Sequence, residues 1–261
     1  MTELNFQFDK TWSLQPIDGE TGQTFMGMKD SQKVFIKRNT TPFLAALSRE
    51  GIVPKLVWTK RLGDGNVLTA QEWLEGETLT PTEMSEFPAV IQLLHDIHHS
   101  RSLKNMLYRL GGEEMTAFAF LSQYSTDLPA ELRHNPYLHR VFRYLEDHLP
   151  NDGDIQVCHG DPIHSNWFLS EEDRLYLVDW DATVLADPAL DLGIILGRYV
   201  PYNQWRKWLE FYGYHVTEEV LERVYWYSGM DFLRRIKHYY EQFELQKMNR
   251  EILLLQKIFN F

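Results

Sequence analysis

His159-Gly160-Asp161-Pro162-Ile163-His164-Ser165-Asn166-Trp167-Phe168-Leu169-Ser170-Glu171-Glu172-Asp173-Arg174-Leu175-Tyr176-Leu177-Val178-Asp179-Trp180-Asp181 is the stretch whose reading decides the fold. It follows a short apolar run, Ile155-Gln156-Val157-Cys158, which reads as a strand entering a loop. Trp167-Phe168-Leu169 and Leu175-Tyr176-Leu177-Val178 read as two further strands, with turn chemistry in Ser170-Glu171-Glu172-Asp173 between them. A hairpin with its midpoint between Glu172 and Asp173 pairs Leu169 with Tyr176, Trp167 with Val178 and Asn166 with Asp179. Directly opposed residues of an antiparallel ladder have Cα atoms roughly 4.5–5.5 Å apart. This register therefore brings an amide oxygen and a carboxylate to one spot, just beyond a third polar group, Asp161. Hard oxygen ligands without dedicated thiolates suit Mg²⁺, which keeps waters and bridges to substrate phosphates.

Phosphoryl transfer asks for such a set: one carboxylate to orient the attacking hydroxyl, and an Asn and a second carboxylate to hold metal ions over the phosphates. The stretch resembles the catalytic and metal-binding segments of the kinase-like small-molecule phosphotransferases, which include choline, ethanolamine and thiamine kinases and aminoglycoside phosphotransferases. In that family His-Gly-Asp is followed after four residues by Asn and about a dozen residues later by Asp. Here His159-Gly160-Asp161, Asn166 and Asp179 meet the pattern. The resemblance implies Asp161 as the general base and Asn166 and Asp179 as ligands of Mg²⁺, with ATP as the phosphoryl donor. An ordinary hairpin with solvated carboxylates in its turn is the plain alternative.

Upstream, the residues read as a strand meander. Trp12 to Ile17, Thr24 to Met28 and Lys33 to Lys37 are strand-like, separated by turns at Asp18 to Gln23 and Lys29 to Gln32. Gly22 lies in the first turn, where glycine lets a backbone approach a ligand closely; by itself such a turn is only hairpin chemistry. Val34-Phe35-Ile36-Lys37 resembles the kinase Val-Ala-Ile-Lys pattern, which assigns Lys37 to the phosphates; a snorkelling surface Lys is the alternative. In the family a helix after this strand supplies a Glu that orients the Lys. The helix expected from Pro42 has no Glu in its first two turns, so either Glu50 at its end substitutes or Lys37 lacks that anchor. Gln71-Glu72-Trp73-Leu74-Glu75-Gly76 resembles the family hinge, and adenine is expected on backbone groups of Glu72, Trp73 and Leu74. The implied fold is α+β, a two-lobed kinase-like architecture. Residues 1–75 form a small antiparallel-sheet lobe with one helix. Residues 76–261 form a larger, mostly helical lobe with the catalytic loop and metal-binding hairpin.

Within the second lobe, Thr80-Pro81-Thr82-Glu83 is a capping box. Apolar spacing at Val90, Ile91, Leu94 and Ile97 marks a helix from Pro88 to Ser100, and 118–124 and 137–149 read as further amphipathic helices. The histidines of the first, His95, His98 and His99, have helical zinc-pair spacing but no third ligand nearby in sequence. Asp187-Pro188 starts another helix carrying Asp191, where the family places an Asp that braces the catalytic loop. Asp181 is either a second metal ligand or a solvated acid. His164 is a rival base to Asp161 or a substrate contact. The aromatic-rich segment from Trp205 onward reads at helical spacing as core, an aromatic cage for a quaternary ammonium being the alternative.

Composition narrows the function classes. The 261 residues, with 44% hydrophobic and 24% charged content, are those of a globular protein. A formal charge of −11 opposes a broad nucleic-acid surface, which needs clustered Lys and Arg. The single Cys, Cys158, excludes an internal disulfide, and neither a secretion signal nor a membrane span is read, so a cytoplasmic protein is expected. Phe35-Ile36-Lys37-Arg38-Asn39-Thr40-Thr41-Pro42-Phe43-Leu44-Ala45 and the phrase from His159 to Trp167 resemble the CcrZ/YtmP branch of Gram-positive bacteria. That resemblance implies a role in coordinating cell division with replication, FtsZ as a partner and recruitment to the division site. Two classes of function stand after this reading. One is a kinase acting on a small-molecule hydroxyl of an amino alcohol, sugar or nucleoside. The other is a kinase-fold regulatory protein with little or no turnover.

Overall fold

The computed structural model describes residues 12–17, 24–63, 65–151 and 153–260. They fall into two compact units. The first runs to Glu77 and takes in Phe168–Asp181; the second comprises Thr78–Trp167 and everything from Ala182 onward.

In the first unit the strands are β1 (Ser13–Pro16), β2 (Thr24–Lys29), β3 (Gln32–Arg38), β4 (Leu56–Arg61) and β5 (Val67–Glu72), with helix α1 (Leu44–Arg49) after β3. They form an antiparallel sheet in the order β1-β2-β3-β5-β4. Period-two patterning decides which face is covered. Val34 and Ile36 of β3 are fully buried and pack with Phe25, Leu68 and Ala70, with Trp12, Leu14, Trp58 and Leu62 around them. Phe35 and Lys37 alternate onto the other face, and Lys37 stands in register between Thr24 of β2 and Thr69 of β5.

The hairpin from the opening stretch packs in this same unit rather than with the helical lobe. Backbone bonds hold it there: Leu177 N–H donates to the Ile52 carbonyl at 3.0 Å and Glu171 N–H to the Glu75 carbonyl at 3.0 Å. Arg174 Nη2 donates to the Gly51 carbonyl at 3.1 Å, and Trp180 packs edge-on against Phe43. Chain order assigned this segment to the second lobe; its hydrogen bonds assign it to the first.

The remaining strands and helices follow in order: β6 (Gly76–Thr78), α2 (Glu83–Glu86), α3 (Pro88–His99), α4 (Arg101–Arg109), β7 (Glu114–Met115), α5 (Ala117–Ser125), α6 (Ala130–Arg133), α7 (Pro136–Asp147) and β8 (Gln156–Cys158). A 3₁₀ turn, His164–Asn166, then leads to β9 (Trp167–Ser170), β10 (Leu175–Leu177), β11 (Val184–Ala186), α8 (Ala189–Tyr199), α9 (Trp205–Tyr212), α10 (Glu218–Glu241) and α11 (Leu245–Ile258). The architecture is α+β, as the sequence implies. The capping box forms as read: Glu83 Oε2 accepts from Thr80 N–H at 2.7 Å, and Glu83 N–H reaches back to Thr80 Oγ1 at 3.4 Å. Helices α8 and α10 make the centre of the second unit. Gly193 of α8 lets them approach, since a Cβ there would stand 2.7 Å from the Ser228 backbone nitrogen. Trp205, Trp208, Tyr212, Trp226 and Tyr227 are buried in this core.

The hairpin register differs by one residue from the midpoint reading. Asp173 N–H donates to the Ser170 carbonyl and Ser170 N–H to the Arg174 carbonyl, both at 3.0 Å, so three residues rather than four make the loop. Asp173 adopts φ +59°, the left-handed residue that follows a type I turn in a three-residue hairpin. Leu169 consequently does not stand opposite Tyr176. The pairing of Asn166 with Asp179 fails for a further reason: Asn166 lies in the 3₁₀ turn and Asp179 beyond the end of β10.

Candidate active-site residues

Each unit contributes its own set. In the first, Lys37 rises from β3 with a mostly buried stem, its side chain 17% exposed. Its Nζ lies 2.7 Å from Asp179 Oδ1 and 2.8 Å from Asp181 Oδ2. Burial alone would lower the Lys37 pKa, but the hydrogen bonds and charges of Asp179 and Asp181 outweigh it and hold the ammonium above its ordinary value. Asp179 reaches this position with φ +63°, a left-handed backbone that Asp tolerates better than most side chains. Both carboxylates remain about half exposed. Among the described residues they are the carboxylates paired with Lys37, so the anchor that the helix was expected to provide comes from the hairpin. The residue between them, Trp180, is buried, and its indole N–H donates to the Leu177 carbonyl at 2.8 Å, which fixes the turn carrying both acids.

The hinge residues continue β5 in this unit. Glu72 N–H donates to the Lys55 carbonyl at 2.8 Å, so that amide serves the sheet. Trp73 Nε1 donates to Glu75 Oε1 at 2.9 Å, and Lys33 Nζ stands 5.8 Å above the Trp73 ring. Leu74 follows, partly exposed. Gly22 lies outside the described residues.

In the second unit, β8 leads into Gly160, whose φ of +80° opens the catalytic-type loop. A Cβ on Gly160 would collide with the Ala182 carbonyl, so both conformation and space require glycine. Asp191, from the first turn of α8, closes the loop from beneath. Its Oδ2 accepts from His159 N–H at 2.7 Å and its Oδ1 from Gly160 N–H at 2.8 Å. His98 Nε2 lies 3.0 Å from Asp191 Oδ2, while Nδ1 lies 2.7 Å from the Tyr212 hydroxyl. An ionised carboxylate only accepts, so Nε2 carries the proton. Burial pushes the Tyr212 pKa far up, so the phenol keeps its proton and donates it to Nδ1. His98, Cys158 and Asp191 come close enough to suggest a metal site. Each is already engaged, however: burial keeps Cys158 a thiol, facing the carbonyls of Ala186 and Asp187 at 3.6 and 3.4 Å. His98 and Asp191 form a hydrogen-bonded brace beside the Cys158 thiol.

Asp161 therefore sits on a fixed backbone, its N–H donating to His159 Nδ1 at 3.2 Å. Asn166 Nδ2 donates to the Asp161 carbonyl at 2.8 Å and to its Oδ2 at 3.2 Å, which turns the Asn amide oxygen away from these two bonds. The other Asp161 oxygen, Oδ1, is ion-paired with Arg235 of α10, a contact invisible in the local sequence. His164 is held by Tyr199, whose hydroxyl lies 2.9 Å from its backbone nitrogen and 3.0 Å from Nδ1. Burial, then the charges of Arg250 and Arg198, lower the His164 pKa, so its ring is neutral at pH 7.

Residues 37–227, more than half of the chain, match the model of the family described as "phosphotransferase enzyme family". Protein LicA of Haemophilus influenzae is 28% identical over 114 residues, 44% of this chain and 33% of that protein. The match thus spans about a third of that relative's length. The structure of choline kinase LicA from Streptococcus pneumoniae is similar at TM-score 0.63 and 18% identity, covering 93% of this chain and 92% of that one. The GDP complex of aminoglycoside 2'-phosphotransferase-IIIa is similar at TM-score 0.67 and 15% identity, covering 95% and 93%. At these identities the structural likeness shows the kinase-like fold.

Proposed function

The chain belongs to the phosphotransferase enzyme family, and from that premise we propose that it moves the γ-phosphoryl group of ATP to a hydroxyl of a small molecule. The observation that carries the reading is the pairing of Lys37 with Asp179 and Asp181, which gathers a cation and two carboxylates from strand and hairpin. Phosphoryl transfer uses such a set to hold nucleotide phosphates and their metal ions. Lys37 contacts the phosphates. Asp179 and Asp181 are the groups of the first unit that would serve Mg²⁺, and the motif resemblance gives Asn166 the same ligand role. The donor set fits that ion, since every ligand is a hard oxygen and both carboxylates are open to solvent. Bound Mg²⁺ supplies neutralisation of the phosphate charge. Backbone groups at Glu72–Leu74 take the adenine.

Asp161 orients the acceptor hydroxyl and takes its proton as the new O–P bond forms, with Asn166 fixing the carboxylate. His164 supports the loop through Tyr199 and is not the base. The phrases shared with the CcrZ/YtmP branch extend the proposal to a cellular role in division, with FtsZ as the partner to test by co-purification. The enzymatic reading is tested by ADP release from MgATP across a panel of hydroxyl compounds. Acceptor-dependent release is expected to fall about a hundredfold or more in Asp161→Ala. Equal release by the variant removes Asp161 from the base role.

A further inference from the structure

The surroundings of Asp161 carry information about the acceptor. Arg235 bridges two carboxylates: Nη2 pairs with Asp161, and Nε lies 3.0 Å from Asp231 Oδ1 and 3.1 Å from Oδ2. Asp231 is shared with Arg198, whose Nη2 lies 2.7 Å from its Oδ2. Arg198 in turn holds Glu251, at 3.1 Å to Oε1 and 2.8 Å to Oε2. Asp161, Asp231 and Glu251 are thus each engaged by a guanidinium. Arg234 is the third arginine beside them. It has no carboxylate within ion-pair distance among the described residues, and its guanidinium lies 4.7 Å from the centre of the Phe120 ring. Burial holds its pKa below the ordinary value, with Asp231 and Asp161 offsetting part of that and Arg235 adding to it.

An ammonium-bearing acceptor is recognised by spare carboxylates or by open aromatic faces. The described residues of this network offer neither. The carboxylates are paired, the face of Phe120 carries Arg234, and that of Phe232 carries Arg198 at 4.6 Å. Trp205, Trp208, Tyr212, Trp226, Tyr227 and Phe232 of the C-terminal third are buried as core. An Asp–Arg pair, by contrast, presents an acceptor beside a fork of donors, which suits neighbouring hydroxyls of one molecule.

We propose that Arg235 and Arg234 are specificity-determining residues that select an uncharged polyhydroxyl acceptor and exclude ammonium compounds. The inference rests on Asp161 being the base of the phosphotransferase. One acceptor hydroxyl gives its proton to Asp161 as its oxygen bonds the γ-phosphorus and the bond from that phosphorus to the β–γ bridging oxygen breaks, releasing ADP. Arg235 donates to the adjacent hydroxyl oxygen.

The test compares acceptor-dependent ADP release with D-glucose, D-ribose, glycerol and myo-inositol against choline, ethanolamine and kanamycin. An uncharged acceptor is expected to exceed every ammonium compound by roughly a hundredfold in kcat/KM, the scale of like-charge exclusion. Choline or kanamycin turned over as well as the best polyol overturns the proposal. Arg234→Glu is expected to narrow that ratio by about tenfold or more while Arg234→Lys preserves it, a selectivity change that mere loss of structure does not produce. An unchanged ratio in Arg234→Glu also overturns it. If no compound is turned over, the phosphotransferase reading fails, and calorimetry with choline in the presence of MgADP still decides the present one. Absence of choline binding by the unmodified protein at about 1 mM, with binding gained in Arg234→Glu, supports it; saturable binding to the unmodified protein overturns it.

Discussion

Asp191→Asn removes the brace of the catalytic-type loop while changing one atom. The native carboxylate takes two backbone N–H groups at 2.7 and 2.8 Å and the His98 N–H at 3.0 Å, and the residue is 1% exposed. An Asn keeps one acceptor oxygen and turns an NH₂ toward groups that can only donate. With its oxygen in the Oδ2 position the Asn loses the Gly160 bond, at about 1.5–3 kcal/mol, and the other two bonds lose their charge assistance, at about 1 kcal/mol each, so a cost of about 3–5 kcal/mol is expected. That is a large share of the roughly 5–15 kcal/mol by which proteins of this kind are stable. Urea unfolding followed by tryptophan fluorescence measures it directly. With a slope near 2 kcal/mol/M, the midpoint moves down by about 1.5–2.5 M. Turnover falls as well, by roughly a hundredfold, because a loop displaced by about an ångström misaligns the base. A stability loss below about 1 kcal/mol refutes the reasoning, since it would mean that water or a neighbour replaces the carboxylate at no cost.

Further perturbations probe other parts of the account. Gly160→Ala places a Cβ against the Ala182 carbonyl at φ +80° and is expected to cost more than about 1–2 kcal/mol and to abolish turnover; a thermal melt and an ADP-release assay check both. Lys37→Met leaves Asp179 and Asp181 without their shared cation, and it is expected to weaken nucleotide binding about tenfold or more by calorimetry, with little loss of fold. Asp231→Asn leaves Arg198 with Glu251 alone and Arg235 with Asp161 alone and is expected to cost about 3–5 kcal/mol in urea unfolding. The pH dependence follows from the same carboxylate. Burial by itself would raise the Asp231 pKa, but Arg235 and Arg198 outweigh it and hold the value below the ordinary 3.8. Its stabilisation is therefore complete above pH 3.8 and lost as the pH falls below that value through the depressed folded-state pKa, an acid limb that Asp231→Asn lacks.

What the sequence disclosed follows from how local each feature is. The capping box at Thr80 and Glu83 and the Pro-led start of α3 are written within one helical turn, and both formed where they were read. The strand of Lys37 showed its alternation in Val34 and Ile36. The hairpin was legible as a hairpin but not in its register, because a positive φ at Asp173 is an option of that residue and not a requirement. The partners of Lys37 lie 142 and 144 residues away, so the missing helix Glu pointed to a question without its answer. Arg235 is 74 residues from Asp161 and sits in a helix that carries none of the motif residues. Its one local signal was Asp231, four residues earlier and facing the same way on an otherwise apolar stripe.

The most direct measurement is ³¹P NMR of MgATP incubated with a polyhydroxyl acceptor and either the unmodified protein or Asp161→Ala. The account predicts a new phosphate-ester resonance growing with ADP in the first, and growing about a hundredfold or more slowly in the second. The same ester formed at equal rates by both proteins contradicts it.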